Sequence, residues 1–421
     1  MRAIRLPTGS PLAPFGDAPG EVLVANEPLA AAQDRALRTA GLEPAEAPDP
    51  HAPYLVYSDR CWFTSRLVAS LAAAGRPGRL LLQDPNLVRD AGVFQPDPAR
   101  PELAVRPPGA PVSLEGDDLP VDLTFHSVPL TDPHPAYAHA QRGPFVIGSR
   151  LAHSIVHWSD LLRANLLALA AKAEEAREDW EQGGLWARLG LIGGVLWRAK
   201  GLSRVALARG LGHEGKGCKI HPTAIVEACE LGDGVEVGPF CILRGCMLGD
   251  GVKVDPYVTV GLSVVGAGAR LGRGLMLNLS VVYPGAFVSE GGGYQMCVIG
   301  RDAFLAKTAV ALDLSFGRSI RTVHAGVSVD TESYFLGAAV GHRAKIGAGV
   351  RLAYGVAVPN DALLVAPPDT LFRRFPEQAT EPLTVVDGVA VPVAPRRRDA
   401  SAPPLRDGEA PSSPPPAHRI G

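Results

Sequence analysis

Aliphatic residues, usually followed by glycine, recur at a fixed interval in the middle of the chain. The residues that open five successive runs are each 17 positions apart: Leu231, Leu248, Val265, Val282 and Ile299. The phase then shifts, but Val323 and Val340 are again 17 apart, and beyond Val340 an aliphatic residue returns every six positions. A fixed period of this kind predicts a stack of repeated units rather than an irregular domain.

The six-residue interval indicates the shape of the unit. Six residues supply one short strand and one turn, and three such units make a triangular coil of about 18 residues with the aliphatic side chains inside. Stacked coils satisfy each other's backbone hydrogen bonds as parallel strands do. The sequence therefore predicts a left-handed parallel β-helix of the hexapeptide-repeat kind over 218–366. A coil of 17 residues requires one corner that is a residue shorter.

The repeat is interrupted once. The interval between Ile299 and Val323 is 24 residues, seven more than one coil. The extra residues are predicted to form a loop over 306–322 that leaves the stack, while His324 is expected to open the next coil. Loops that project from a rigid scaffold commonly carry binding residues.

The regions on either side of the repeat have other patterns. Residues 1–149 alternate apolar runs such as PYLVYSDR with helical runs such as TSRLVASLAAAGR, which predicts a small α/β domain with a parallel sheet. Residues 150–217 are predicted to form a helical connector that begins with a long helix over 150–180. Residues 367–421, rich in proline and arginine, are expected to be a disordered tail.

The connector contains an apolar segment, 189–211. Four basic residues lie in it: Arg198, Lys200, Arg204 and Arg209. The segment is predicted to pack as a helical connector, and the alternative is a helix on a membrane surface.

Charge and cysteine content narrow the class of protein. The formal net charge of -2 provides no basic bias toward nucleic acid. The six cysteines show no C-x-x-C spacing and are expected to be free thiols in a reducing compartment. The first residues lack the apolar core of a signal peptide, and no uninterrupted apolar run reaches 18 residues. A cytoplasmic protein without a transmembrane segment is therefore expected.

Two stretches of the N-terminal region resemble the sugar-phosphate nucleotidyltransferase family, some of whose members carry a hexapeptide-repeat acetyltransferase domain. VLVANEPLAAAQDRALRTAGL, over 22–42, is similar to the family's Pro-Leu followed by a helix that ends in Ala-Gly. PYLVYSDRCW is similar to the strand that ends in a metal-binding aspartate, which here would be Asp59. The resemblance implies that Asp59 contacts a sugar-phosphate or nucleotide-sugar, with Mg²⁺ if nucleotidyl transfer survives.

The chain departs from that family at the phosphate-binding loop. The family's Gly-x-Gly-Thr-Arg followed by Lys-Pro is absent, and only PTGSP over 7–11 lies near the start. Without the backbone amides and the basic residue of that loop, a triphosphate has little to hold it. The N-terminal domain is therefore predicted to be a degenerate nucleotidyltransferase-like domain.

The resemblance to hexapeptide-repeat acyltransferases implies a histidine general base, an acyl-coenzyme A donor and a homotrimer whose subunits form the donor groove between them. His324 and His342 lie in the right part of the chain and are the candidate catalytic residues.

Candidate substrate-binding residues lie near the interruption: Asp313, Arg318, Arg321 and, in a glycine-rich corner, Tyr294. A carboxylate can orient a histidine, and arginines can bind a phosphate or a sugar carboxylate.

No metal site is predicted. A zinc site would need three converging histidines, and His221 is several coils away from His324 and His342. His153 and His157 are four positions apart on the predicted helix, a spacing that can bind metal, but no third ligand is evident nearby.

These observations leave three functional hypotheses. The first is a transferase that moves an acyl group to a sugar or nucleotide-sugar with His324 or His342 as base. The second is a non-catalytic, trimeric binding or scaffold module. The third is a residual sugar-phosphate nucleotidyltransferase.

Overall fold

The computed structural model of the chain describes residues 1–83, 88, 92–120, 125–128, 145–199, 203–367, 383–387 and 389–393. The chain divides into two units, Met1–Val365 and Ala366–Gly421. In the described residues, no helix has both the length and the apolar character that a bilayer-spanning segment needs.

The N-terminal domain is built on a six-stranded sheet of order β4-β1-β5-β8-β7-β9. Its strands are β1 (Arg2–Leu6), β4 (Glu43–Ala45), β5 (Tyr54–Ser58), β7 (Gly78–Leu81), β8 (Leu103–Arg106) and β9 (Asp118–Pro120). The predicted parallel arrangement is confirmed for β1 with β4 and β5 and for β7 with β9. Strand β8 differs, because it runs antiparallel between β5 and β7.

Short antiparallel pairs complete this domain. They are β2 (Leu23–Val24) with β3 (Glu27–Pro28), β6 (Cys61–Phe63) with β12 (Ala152–Ser154), and β10 (Phe125–Val128) with β11 (Phe145–Gly148).

Two helices flank the sheet where the sequence predicts them. Helix α1 (Leu29–Thr39) is followed by Gly41 with φ +75°, a conformation that glycine adopts without steric cost. Helix α2 (Ser65–Ala74) begins after Thr64, whose hydroxyl accepts a hydrogen bond from the Leu67 N–H, and ends at the left-handed Gly75.

The long connecting helix starts eight residues later than predicted. Helix α3 spans Trp158–Gln182, and residues 152–154 instead form β12. The start is fixed by Asp160, whose carboxylate accepts hydrogen bonds from the backbone N–H groups of Val156 and His157. His153 and His157 are therefore not on one helical face, and the helical metal pair that the spacing allowed does not exist.

Two further helices, α4 (Leu185–Ala199) and α5 (Arg204–Gly210), lead into the repeat. They confirm that this part of the connector is helical.

The repeat folds into a left-handed parallel β-helix with three walls. The first wall contains β13 (His213–Glu214), β16 (Glu230–Leu231), β19 (Met247–Leu248), β22 (Val264–Val265), β25 (Val281–Val282), β28 (Val298–Ile299), β33 (Ala339–Val340) and β36 (Ala357–Val358). The second contains β14 (Lys219–Ile220), β17 (Glu236–Val237), β20 (Lys253–Val254), β23 (Arg270–Leu271), β26 (Phe287–Val288), β29 (Phe304–Leu305), β34 (Lys345–Ile346) and β37 (Leu363–Leu364).

The third wall begins with β15 (Ile225–Glu227), β18 (Ile242–Arg244), β21 (Thr259–Gly261), β24 (Met276–Asn278) and β27 (Gly293–Gln295). The pair β30 (Val310–Ala311) and β35 (Arg351–Leu352) forms a separate two-stranded sheet.

The 17-residue period is the pairing register of the coils. Leu231 is opposite Leu248, and Val265 is opposite Val282, with all four side chains buried in the interior. The short corner is the one after the third-wall strands: only two residues separate Glu227 from Glu230, and Ala228 adopts φ +51° there.

The interruption lies further along the chain than predicted. Residues 304–305 and 310–311 remain in the coil, because β29 pairs with β34 and β30 pairs with β35. The segment that leaves the stack follows β30 and contains an antiparallel hairpin, β31 (Arg321–His324) with β32 (Val327–Asp330). His324 therefore does not open a coil. The spacing between Val323 and Val340 was a coincidence, since Ile299 is the residue that pairs with Val340.

The region predicted as a tail, 367–421, contains a hairpin of β38 (Leu383–Val386) and β39 (Val389–Pro392). The expectation of disorder is wrong for these strands, and most of the tail lies outside the described residues.

Candidate active site

His342 lies where the N-terminal domain contacts the β-helix. Its side chain is 3% exposed and faces the loop before the first 3-10 turn of the chain. The imidazole Nε2 is 3.1 Å from each carboxylate oxygen of Asp17, and the His342 backbone N–H donates to Asn360 Oδ1 at 2.6 Å. Two residues 325 positions apart in the sequence therefore form a buried pair.

The hydrogen bonds of His342 define its tautomer. The backbone N–H of Arg301 donates to Nδ1 at 2.8 Å, so Nδ1 carries a lone pair and the proton is on Nε2, which donates to Asp17. Both ring nitrogens are thus engaged by the chain itself. A general base needs a nitrogen that can accept the substrate's proton, and His342 offers none in this arrangement.

Other contacts hold the same interface together. Phe15 stacks on Tyr283, whose hydroxyl accepts a hydrogen bond from the Leu23 N–H at 3.1 Å. The Asn360 side chain donates to the Phe15 carbonyl at 2.6 Å. Burial raises the pKa of the Tyr283 phenol, so the hydroxyl remains neutral. We refer to Phe15, Asp17, Tyr283, Arg301 and His342 as the clamp.

His324 has a different environment. It ends strand β31 of the inserted hairpin and is partly exposed. Its ring centroid is 5.6 Å from that of His157 and 5.3 Å from that of Phe94. Within the described part of the chain, neither of its ring nitrogens has a hydrogen-bond partner, so His324 can accept a proton from a molecule outside the chain. We refer to Phe94, His157 and His324 as the hairpin cluster.

His157 forms the buried side of the hairpin cluster. It caps α3, with Nδ1 accepting from the Ser159 N–H at 3.3 Å, and its ring stacks on Phe94 at 4.1 Å. Nε2 faces the Val323 backbone without a hydrogen bond of good geometry. Burial, followed by the proximity of His324, lowers the pKa of His157 to about 3. The ring is therefore uncharged near neutral pH.

A second layer lies beneath His157. Burial raises the pKa of Asp160 to about 7 and outweighs the two backbone donors to its carboxylate. His153 Nε2 is 3.7 Å from Asp160 Oδ1, and burial keeps the pKa of His153 well below its usual value. Gln95 donates to the Ser154 carbonyl at 2.5 Å. This layer is therefore buried and polar, and its side chains support His157 from below.

The other candidates on the inserted segment are dispersed. Arg318 is exposed, while the Arg321 guanidinium bonds Ser328 across the hairpin. Asp313 is half-buried, and burial raises its pKa. Tyr294 is inside the β-helix, 3% exposed, and donates to the Ala309 carbonyl at 2.6 Å, so it does not face a surface where substrate would bind.

Asp59 follows β5 beside the loop after β1. Its two oxygens accept hydrogen bonds from Thr8, one from the backbone N–H at 3.0 Å and one from the hydroxyl at 2.7 Å. Thr8 therefore engages both oxygens of the Asp59 carboxylate. In the parts of the chain that the structure describes, no group of three or more His, Cys, Asp or Glu side chains could hold a metal ion.

The sequence did not indicate six residues of these sites. Four of them belong to the clamp (Phe15, Asp17, Tyr283 and Arg301), and two, Phe94 and Asp160, belong to or support the hairpin cluster. Only Asp160 had a local signal, because an acidic residue in the first turn of a helix is a common cap.

Comparison with known proteins gives a likeness in fold. No family model and no curated protein matches the chain. Among solved structures, a hexapeptide transferase family protein from Anaplasma phagocytophilum is 16% identical over 35% of this chain and 72% of its own, with a TM-score of 0.17. The polysialic acid O-acetyltransferase OatWY is 13% identical over 45% of this chain and 94% of its own, with a TM-score of 0.16. The activity named for OatWY belongs to that protein.

Proposed function

We propose that the chain is a hexapeptide-repeat acyltransferase that transfers an acyl group from acyl-coenzyme A to a hydroxyl or amine of a sugar or nucleotide-sugar, with His324 as general base. The observation that carries the proposal is that neither ring nitrogen of His324 bonds a residue of the described ranges, on a hairpin that leaves the β-helix. His342 is the weaker candidate because both of its nitrogens are engaged.

The proposed reaction needs one proton to move twice. The free nitrogen of His324 removes the proton from the attacking hydroxyl or amine as its oxygen or nitrogen bonds to the thioester carbonyl carbon. The tetrahedral intermediate then collapses, the carbon–sulfur bond breaks, and the departing thiolate of coenzyme A takes the proton from His324. No oxidant or metal is required for this balance.

The surroundings of His324 support this role. Because His157 is uncharged at neutral pH, it does not repel the imidazolium that forms on His324 during the reaction. Phe94 provides an apolar wall on the same side. The exposed Arg318 on the same inserted segment can pair with a phosphate of the donor or of a nucleotide-sugar acceptor.

The test is a coenzyme A release assay with acetyl-coenzyme A and a panel of sugars, sugar phosphates and nucleotide-sugars, with products identified by mass spectrometry. His324→Gln is expected to lower kcat by about 10²–10⁴-fold, the usual contribution of a general base. His221→Gln is the matched control, since His221 is an exposed histidine of the same β-helix whose ring bonds its neighbour Thr223. Equal activity of the two variants would remove His324 from the mechanism.

A non-catalytic scaffold is the second candidate, favoured by the engaged polar groups of His342 and Asp59. A ligand that binds the folded state raises the melting temperature. The scaffold hypothesis therefore predicts a homotrimer whose melting temperature is the same with and without acyl-coenzyme A, nucleotide-sugars and sugar phosphates. The residual nucleotidyltransferase remains a third prediction. It requires magnesium-dependent pyrophosphate release that is lost in Asp59→Ala.

A further inference from the structure

Helix α4 (Leu185–Ala199) exposes apolar side chains along most of its length. Trp186 and Trp197 are 84% and 86% exposed, and Leu185 is 70% exposed. Leu189, Ile192 and Leu196 are each more than 40% exposed. Side chains of this kind seldom remain in water as a contiguous surface unless they contact a partner or a membrane.

The exposed residues share one side of the helix. At about 100° per residue, Trp186 and Trp197 are three turns apart and point the same way. The same rotation per residue places a second row of apolar side chains beside the tryptophans: Leu185, Leu189, Ile192 and Leu196. We call these six residues the α4 face. The less exposed positions Arg188, Val195 and Ala199 lie along one edge of this face, so α4 contacts the protein along that edge.

The chain segment that contains α4 is basic in sequence. From Gly183 to His213 the chain has five cations and no carboxylate, whereas the whole chain has 41 Lys and Arg against 43 Asp and Glu. Those cations are Arg188, Arg198, Lys200, Arg204 and Arg209. Arg209 pairs with Glu214, which leaves four of these basic residues in or beside the apolar, tryptophan-rich helix. Apolar and aromatic side chains accompanied by basic residues match the headgroup region of a bilayer that contains anionic lipid.

The position of α4 is fixed by its neighbour. A Cβ at Gly210 would lie 2.4 Å from the Val195 carbonyl, so glycine permits the close approach of α5, and the Arg198 guanidinium donates to the Gly210 carbonyl at 2.9 Å. Helix α5 is joined to the first coils by the Ala228 N–H, which donates to the Ala208 carbonyl. The α4 face is thus displayed by a rigid support.

We propose that α4 binds the surface of a lipid bilayer that contains anionic lipids, with the α4 face inserted among the headgroups and acyl boundary. The helix has 15 residues. It is about 22 Å long, too short to cross a hydrocarbon core of about 30 Å, so it lies in the plane of the surface. The proposal is independent of acyl transfer, although it would place an acyl acceptor or product near a membrane.

The experiment is flotation of the full chain with two kinds of vesicle, phosphatidylcholine alone and phosphatidylcholine mixed with phosphatidylglycerol. The chain is expected to float with the mixed vesicles. Trp186→Ala/Trp197→Ala should reduce its partition coefficient about tenfold through loss of buried apolar area. The matched control is Phe240→Ala/Tyr257→Ala, which removes two exposed, stacked aromatic rings of the β-helix. Quenching of tryptophan fluorescence by brominated phosphatidylcholine in the mixed vesicles should occur in the parent and weaken in the tryptophan variant.

Charge provides a test that does not depend on the tryptophans. Arg204→Glu should lower binding to the mixed vesicles about fivefold or more, and added salt should lower it for the parent. If the parent bound neither kind of vesicle, the proposal would be overturned. Sedimentation of the tryptophan variant then shows whether its oligomeric mass differs from that of the parent. A change in that mass would assign the α4 face to a second copy of the chain. Equal loss of binding in both double variants would also overturn the proposal.

Discussion

The clamp and the hairpin cluster both place a histidine of the C-terminal half against residues of the first 160, but they use it differently. In the clamp, the Arg301 N–H and the Asp17 carboxylate bind the two nitrogens of His342. In the hairpin cluster, His324 contacts rings and no hydrogen-bonding partner among the described residues. A buried polar group is stable only when its partners are present, so the clamp contributes to stability, while the unbonded His324 remains available for chemistry.

The largest effect is expected at the clamp. His342→Ala leaves the Asp17 carboxylate and the Arg301 N–H without their buried partner and opens a cavity beside the stacked rings of Phe15 and Tyr283. The free energy of unfolding should fall by about 5 kcal/mol. Urea unfolding followed by circular dichroism measures it, with His221→Ala as the control. A loss below about 1 kcal/mol would show that the clamp is not a stabilising contact.

The next largest effect is expected on the pH dependence of the stability of the hairpin cluster. His157 has a lowered pKa when folded, so its contribution is complete above pH 6.5 and is lost as the pH falls toward about 3. Asn at this position still caps the helix but does not titrate. On acidification, the free energy of unfolding of His157→Asn should therefore fall by about 3–4 kcal/mol less than that of the parent. Unfolding curves of both proteins between these limits test this. Parallel curves would mean that His157 has no depressed pKa.

Asp160 should act in the opposite direction. Its pKa is raised from 3.8 to about 7 in the folded chain, so the parent loses stability as the pH rises through that window. Asn at this position can still accept from the Val156 and His157 N–H groups but cannot ionise. Asp160→Asn should therefore become more stable relative to the parent by about 2–3 kcal/mol between pH 4 and 8. A constant difference across that range would contradict the shifted pKa.

The contrast also explains what the sequence could predict. The β-helix follows from local spacing, because each inward position must be aliphatic and the same requirement returns in every coil, as Leu231, Leu248 and Val265 show. The same spacing misplaces Val323, which lies in the inserted hairpin and is 58% exposed, so its distance of 17 from Val340 does not reflect a coil. A period reports the repeat itself but does not identify where an insertion begins.

The clamp was beyond this kind of inference. The sequence indicates His342 because it is a histidine in the repeat, but its role depends on Asp17, which the packing of the N-terminal domain against the β-helix brings to it. No local pattern around Asp17 encodes that contact. The repeat predicts a coil position for His324 that it does not occupy. His324 remains a candidate because of its exposure and its neighbours, which depend on where α3 begins.

The smallest effect on stability is expected at His324, although its effect on activity should be large. The side chain makes no hydrogen bond with the described residues, so His324→Gln should change the free energy of unfolding by less than about 0.5 kcal/mol, as for other partly exposed positions. The free energy of unfolding of His324→Gln is measured under the same conditions as that of His342→Ala. The two values should show that stability requires His342 and does not require His324. If His324→Gln destabilised the chain as much as His342→Ala, the hairpin cluster would be a second clamp, and a fall in activity could no longer be attributed to a lost base.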